Sequence, residues 1–173
     1  MDRNFDDLAD RFKRRVYGGL KGKIRLAVLS RDIDQLINGR NHLKILDIGA
    51  GLGQFVIALA EKGHDVHYCD LSESMLHLAE AEAERLQLKD KITWHLGPYQ
   101  KLAIDRYDLI LCHALLEWVD KPESLIGFCA GRLKPGGQLS LNFYNPAAKV
   151  YRNLIRGNFD WLDGRQHYIP DSG

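Results

Sequence analysis

The sequence predicts an α/β domain, a mostly parallel sheet with helices on both faces. Three observations carry this. From residue 43 onward, short apolar runs of strand length alternate with segments of helical length. The runs are nearly continuous in apolar character, as strands buried on both faces require, and do not alternate apolar with polar. The first run, Lys44-Ile45-Leu46-Asp47-Ile48, breaks directly into Gly49-Ala50-Gly51-Leu52-Gly53 and then into a helical pattern. A strand, a glycine turn and a helix in that order form half of a nucleotide-type site.

The elements follow in order. Residues 2–19 space Phe5, Leu8, Phe12, Val16 and Tyr17 at helical intervals and stop at Gly18-Gly19. A second helix is expected over 20–37, with Leu20, Ile24, Ala27, Val28, Leu36 and Ile37 on or near one face and Asn38-Gly39 closing it. Together these make residues 1–40 a helical extension in front of a ligand-binding domain over 41–173. Strand one covers Leu43–Ile48, and the helix after the glycines ends at Gly63. Strand two is Asp65–Cys69, with Asp70 at its end, and Ser72 is placed to cap a helix running to about Leu88. Strand three is Ile92–Leu96 and strand four Tyr107–Cys112. Pro122 and Glu123 open a helix to about Leu133. A turn at Lys134-Pro135-Gly136-Gly137 precedes strand five, Gln138–Tyr144.

Bulk properties limit the function classes. The chain has 173 residues, enough for one well-cored domain, and its 24 basic and 23 acidic side chains leave a net charge of +1. Nothing global marks a nucleic-acid binder, although Arg11, Lys13, Arg14, Arg15, Lys21, Lys23 and Arg25 cluster near the start. That cluster reads either as a solvated helix face, partly balanced by Asp6, Asp7 and Asp10, or as a landing strip for a polyanion. Cys69, Cys112 and Cys129 lack metal-ligand spacing, and Cys69 and Cys112 sit in strand-like apolar runs as buried thiols. No signal peptide and no membrane-spanning run is present, so a cytoplasmic chain without metal or membrane partner is expected.

In doubly covered parallel sheets, ligands bind beyond the carboxyl ends of the strands. Asp70 stands at such an end, about twenty residues after the first glycine, where a carboxylate accepts the two hydroxyl hydrogens of a ribose. Its other reading is a helix cap. The glycines are spaced G-x-G-x-G, whereas a dinucleotide fingerprint has G-x-G-x-x-G facing a pyrophosphate. Asp47, two residues before the first glycine, would repel a pyrophosphate and favour an ammonium or sulfonium group. S-adenosylmethionine carries both.

Ile45-Leu46-Asp47-Ile48-Gly49-Ala50-Gly51-Leu52-Gly53, Asp70-Leu71-Ser72 and Leu133-Lys134-Pro135-Gly136-Gly137 resemble the motifs of class I S-adenosylmethionine-dependent methyltransferases, whose sheet is Rossmann-like. A narrower set spans nearly the whole chain. It comprises Arg3-Asn4-Phe5-Asp6-Asp7, Tyr17-Gly18, Lys21-Gly22 with Arg25, His113-Ala114 through Leu116-Glu117-Trp118-Val119, Phe143-Tyr144-Asn145 and Gly157-Asn158-Phe159-Asp160. This set is similar to the bacterial tRNA 5-carboxymethoxyuridine methyltransferase family, which esterifies the modified wobble uridine in the anticodon loop of certain tRNAs.

The resemblance implies that Gly49, Ala50 and Gly51 pass close under the cofactor, with Asp47 before them, and that Asp70 holds its ribose. Arg25 would take the cofactor's carboxylate through its bidentate fork. Tyr99 and Gln100 would lie by the adenine, although Tyr99-Gln100-Lys101 departs from the usual small-residue-plus-acid pattern. His113 would contact the cofactor near the methyl-transfer centre, or else be a strand-end histidine satisfied by backbone. Tyr144 and Asn145 would orient the acceptor, or cap the next helix. The family's sheet carries two further strands beyond strand five, absent from this sequence. Two other functions stay open on the residues alone: a small-molecule methyltransferase of the same fold, and a non-catalytic cofactor-binding fragment.

Overall fold

The computed structural model describes residues 19–159. The helix expected over 2–19 lies outside them apart from its last residue. The chain divides into two compact units, the first ending at Asn142 and the second beginning at Phe143.

The first unit is a five-stranded, all-parallel sheet in the order β3-β2-β1-β4-β5, with the glycine-turn strand at its centre. The strands are β1 (Lys44–Ile48), β2 (Asp65–Asp70), β3 (Ile92–Leu96), β4 (Tyr107–His113) and β5 (Leu133–Asn142). On one face lie α1 (Leu20–Ile37), α2 (Gln54–Glu61) and α3 (Glu73–Arg85), and on the other α4 (Pro122–Arg132). Side chains alternate along β1 as the pleat requires. Ile45 joins the core under α1–α3, while Leu46 and Ile48 join the core under α4. Cys69, Cys112 and Cys129 are all buried free thiols.

Local chemistry explains the element ends. Ser72 Oγ accepts from the Met75 N–H at 3.2 Å, capping α3. Gln87, at φ 58°, ends the helical course before the expected Leu88. Gly63, at φ 84°, turns the chain after α2. Asn38 takes the left-handed position after α1, and the Arg40 guanidinium donates to the Leu36 and Ile37 carbonyls at 2.8 and 3.1 Å.

Three expectations need correction. Helix α1 packs Ile33 and Ile37 into the first unit's core, with a different face inward from the one expected in its first half. It buries Gly22, Ile33 and Ile37, while Leu20, Ile24 and Val28 of the expected apolar face are exposed. Residues 134–137 are a bulge inside β5, not a turn before it. Leu133 pairs with Tyr107 and Gln138 with Leu109, so the intervening residues loop out of register. Gly137 is essential there, because a Cβ would lie 2.9 Å from the Tyr107 carbonyl oxygen. Lys134 Nζ donates to Asp108 Oδ2 at 2.7 Å, and the same oxygen accepts the Lys44 N–H at 2.8 Å, tying the bulge to the start of β1. Finally, β5 stops at Asn142, and Phe143 and Tyr144 are exposed.

The described part of the second unit is dominated by α5 (Pro146–Ile155). Asn145 caps it, with Oδ1 accepting from the Ala147 N–H at 2.9 Å.

Candidate cofactor site

A cavity opens at the carboxyl ends of the strands. Its wall includes Gly49 and Gly51 from the turn after β1, Asp70 at the end of β2, His113 at the end of β4 and Asn142 at the end of β5. Phe55 of α2, Met75 of α3 and Leu115 add apolar surface, and α1 contributes Arg25, Leu26 and Leu29. The structure thus brings six of the predicted cofactor residues to one wall: Arg25, Gly49, Gly51, Asp70, Tyr99 and His113. Asp47, Ala50 and Gln100 are not part of it. Asp47 is buried in β1, and Gln100 is exposed and borders a separate depression with Lys121, Ser124 and Phe128.

The hydrogen bonds of the glycine turn decide what it can hold. The N–H groups of Gly49 and Ala50 both donate to the Cys69 carbonyl, at 2.8 and 3.2 Å. The Gly51 N–H donates to Asp70 Oδ2 at 2.8 Å. The Gly53 N–H returns to the Ala50 carbonyl at 3.0 Å. In a phosphate-binding glycine loop these donors face the anion. Here they are spent on β2 and on the turn itself, so the turn is built for close approach and not for a pyrophosphate. Gly51, at φ 54°, borders the cavity, and a Cβ there would meet no protein atom within 4 Å. A side chain would project into space that the turn keeps open.

Asp70 Oδ1 also accepts the Ser72 N–H at 2.9 Å. A carboxylate has about four acceptor positions, so two backbone donors fix its plane without exhausting it. The helix cap of α3 is Ser72 and not Asp70, whose carboxylate instead accepts from the Gly51 and Ser72 N–H groups.

Burial shifts His113 in the cavity wall and Asp47 behind it. The His113 imidazole is pushed down to about 4 by burial, so it is neutral at pH 7. Its Nε2 lies 2.9 Å from Ser140 Oγ, its ring meets Phe55 edge-on at 5.3 Å, and its Nδ1 is buried with no hydrogen-bond partner among the described residues. Asp47 is pushed up to about 8 by burial and, next, by the charge of Asp70. At neutral pH, Asp47 without ligand therefore holds its proton, whereas the charge argument from sequence took it as an anion.

A carboxyl whose folded pKa is raised binds a proton more tightly in the native state, so stability falls as pH rises from the ordinary value of 3.8 through about 8. Asp47→Asn mimics the protonated form. Its unfolding free energy without ligand is expected to exceed the parent's by about 1–2 kcal/mol near pH 5 and by several kcal/mol near pH 9. Urea titrations at the two pH values check this, and parallel pH profiles for both proteins would contradict it.

Sequence reading missed the apolar cavity walls from α1–α3. The spacing of Arg25, Leu29, Ile33 and Ile37, four residues apart, marks the face of α1 that turns inward. No helix among the described residues is long and apolar enough to cross a membrane, and none of their His, Cys, Asp and Glu side chains form a group of three or more able to hold a metal ion.

The fold and site define a class. Residues 46–139 match the family described as a methyltransferase domain, and the chain belongs to that family. Within it, the chain is 42% identical over 167 residues to the tRNA 5-carboxymethoxyuridine methyltransferase of Escherichia coli strain K12, an alignment covering 94% of this chain and 64% of that protein. The chain thus spans a little under two thirds of that relative's length. It is 38% identical over 115 residues to the ubiquinone biosynthesis O-methyltransferase of Coxiella burnetii, covering 65% of this chain and 48% of that one. Among solved structures, magnesium protoporphyrin IX methyltransferase from Synechocystis PCC 6803 with bound SAH shares the fold. Its TM-score is 0.72 at 22% identity, covering 90% of this chain and 75% of that one.

Proposed function

We propose that this chain binds S-adenosylmethionine in the cavity at the strand ends and methylates the carboxylate of 5-carboxymethoxyuridine at the wobble position of tRNA. The observation that carries the cofactor is the hydrogen bonding of the glycine turn. It spends the Gly49, Ala50 and Gly51 N–H groups on β2 and leaves a carboxylate, Asp70, facing the cavity where a ribose would lie. The acceptor rests on the relationship to the Escherichia coli tRNA 5-carboxymethoxyuridine methyltransferase along 94% of this chain.

The residues fit this group. Asp70 would accept from the ribose hydroxyls, and Arg25 would pair with the amino-acid carboxylate. Phe55, Met75 and Leu115 supply apolar walls, and Tyr99 a buried aromatic one. When bound, S-adenosylmethionine supplies an electrophilic methyl group on a positively charged sulfur. Neutral His113 adds no opposing positive charge beside it. Asp47 would release its proton as a cation approaches, since opposite charge favours the ionised carboxyl.

An acceptor carboxylate is already ionised at neutral pH. The protein's task is then to strip water from the attacking oxygen and hold it in line, with no general base. This accounts for a site whose buried histidine is too weakly basic to work by proton removal at pH 7. Contacts from Arg14, Arg15 or Lys21 to tRNA phosphates would make tRNA retention fall steeply with added salt.

The test is mass spectrometry of anticodon nucleosides after the chain is incubated with S-adenosylmethionine and tRNA bearing unesterified carboxymethoxyuridine. Appearance of the methyl ester is expected. A folded, cofactor-binding chain that leaves the nucleoside unchanged would overturn the proposed reaction for this chain.

A further inference from the structure

Strand β2 holds the glycine turn by more than Asp70. Tyr68, two residues earlier on the same face of the strand, is fully buried, and its hydroxyl donates to the Gly51 carbonyl at 2.7 Å. The Gly51 N–H donates in turn to Asp70 Oδ2 at 2.8 Å. Both backbone groups of one left-handed glycine are thus gripped by side chains from alternate positions of the neighbouring strand. Cys69, between them, takes the Gly49 and Ala50 N–H groups on its carbonyl.

The phenol is itself anchored. Its ring packs against Trp94 with centroids 5.1 Å apart, and the Trp94 indole N–H donates to the Lys89 carbonyl at 3.1 Å. Burial, with Asp70 and Asp47 nearby, holds the hydroxyl protonated, so it acts as a donor throughout the physiological range. Tyr68 does not line the cavity. Any effect on a ligand must therefore pass through Gly51.

We propose that Tyr68 is a positioning residue for the nucleoside site: it holds the Gly51–Leu52 peptide plane while Asp70 holds the Ala50–Gly51 plane, so that together they set the backbone angles of Gly51 and, through its N–H, the acceptor geometry that Asp70 offers to a ribose. The two planar peptide groups meet at the Gly51 Cα, and a glycine there opposes rotation only weakly, so its left-handed backbone depends on both grips. Loss of the phenol's grip on the carbonyl leaves the Gly51 backbone held from one side only, and the N–H that orients Asp70 loosens with it. The nucleoside part of the inference rests on the cofactor reading above, while the grip on Gly51 stands without it.

The experiment compares the wild type with Tyr68→Phe, which removes one oxygen and keeps the ring against Trp94. Two readouts are taken: the Kd for S-adenosylhomocysteine by calorimetry, and the amide exchange rate of Gly51 without ligand by NMR. The expected result is a Kd raised about five-fold, the scale of one neutral hydrogen bond, with Gly51 exchange several-fold faster. A side chain serving stability alone would lower the unfolding midpoint and leave both readouts unchanged, and that result overturns the proposal. If the wild type fails to bind S-adenosylhomocysteine, the cofactor reading falls, and the exchange rate alone judges the grip: faster exchange in the variant supports it, and an unchanged rate refutes it. If the variant does not fold, the wild type decides through its Tyr68 hydroxyl proton. Its exchange should slow on addition of S-adenosylhomocysteine, and an unaltered rate counts against the proposal.

Discussion

Asp70→Ala is expected to raise the Kd for S-adenosylhomocysteine about 100-fold. Two hydrogen bonds from ribose hydroxyls to an ionised carboxylate are worth roughly 1.5–3 kcal/mol each, and a loss of about 3 kcal/mol corresponds to this factor. The substitution also strips the acceptor from the Gly51 and Ser72 N–H groups, so the turn loosens as the contact is lost. Asp70→Asn separates the two effects. The amide keeps one carbonyl oxygen for a backbone donor but loses the charge, and a loss of about tenfold is expected, on the scale of one charge-assisted bond. Calorimetry with the three proteins decides it, and an unchanged Kd in Asp70→Ala would remove the ribose role.

The third glycine has a different task, and its replacement should cost the most stability. Gly53 precedes α2 at φ 71°, and a Cβ there would lie 2.9 Å from the Ala79 Cβ of α3. In Gly53→Ala, the left-handed backbone costs roughly 1–2 kcal/mol, and the overpacking against α3 adds about 1–3 kcal/mol. A total near 3 kcal/mol is expected. The two parts separate in a double-mutant cycle with Ala79→Gly. That change alone costs about 1 kcal/mol as a glycine in a helix, yet in the Gly53→Ala background it should recover most of the packing part and none of the backbone part. Denaturant unfolding of the four proteins measures the coupling. Additive effects would mean that α2 and α3 do not meet at this glycine. The G-x-G-x-G motif thus divides its work: Gly49 and Gly51 border the cavity, and Gly53 lets two helices close over β1 and β2.

Much of this was legible in the sequence because local chemistry and tertiary packing agree. The glycine turn, the Ser72 cap, the Pro122 helix start and the apolar strands are each specified by the residues that form them. The place of Asp70 at the cavity was legible because a carboxylate ending a parallel strand lies at the edge where such sheets open. The failures have physical causes. Leu20, Ile24 and Val28 make a plausible apolar stripe, and Leu36 and Ile37 of the expected face do meet the core, but the first half of α1 turns inward along Leu29 and Ile33, which also follow helical spacing. One periodicity served two faces, and only the sheet selects between them. Lys134-Pro135-Gly136-Gly137 carries turn residues, and a bulge uses the same residues for the same backbone freedom. Asp47 looked like an anion because burial is invisible in a motif. Tyr68 looked like an ordinary strand residue, because its partner, the Gly51 carbonyl, is set by the β1–β2 pairing and not by any nearby residue.

The most direct test of the cofactor site is hydrogen–deuterium exchange of the wild-type chain with and without S-adenosylhomocysteine, with NAD as the control ligand. The site described here predicts protection centred on residues 49–51 and 70–72 with S-adenosylhomocysteine and none with NAD. Protection confined to other segments, or equal protection by NAD, would contradict it.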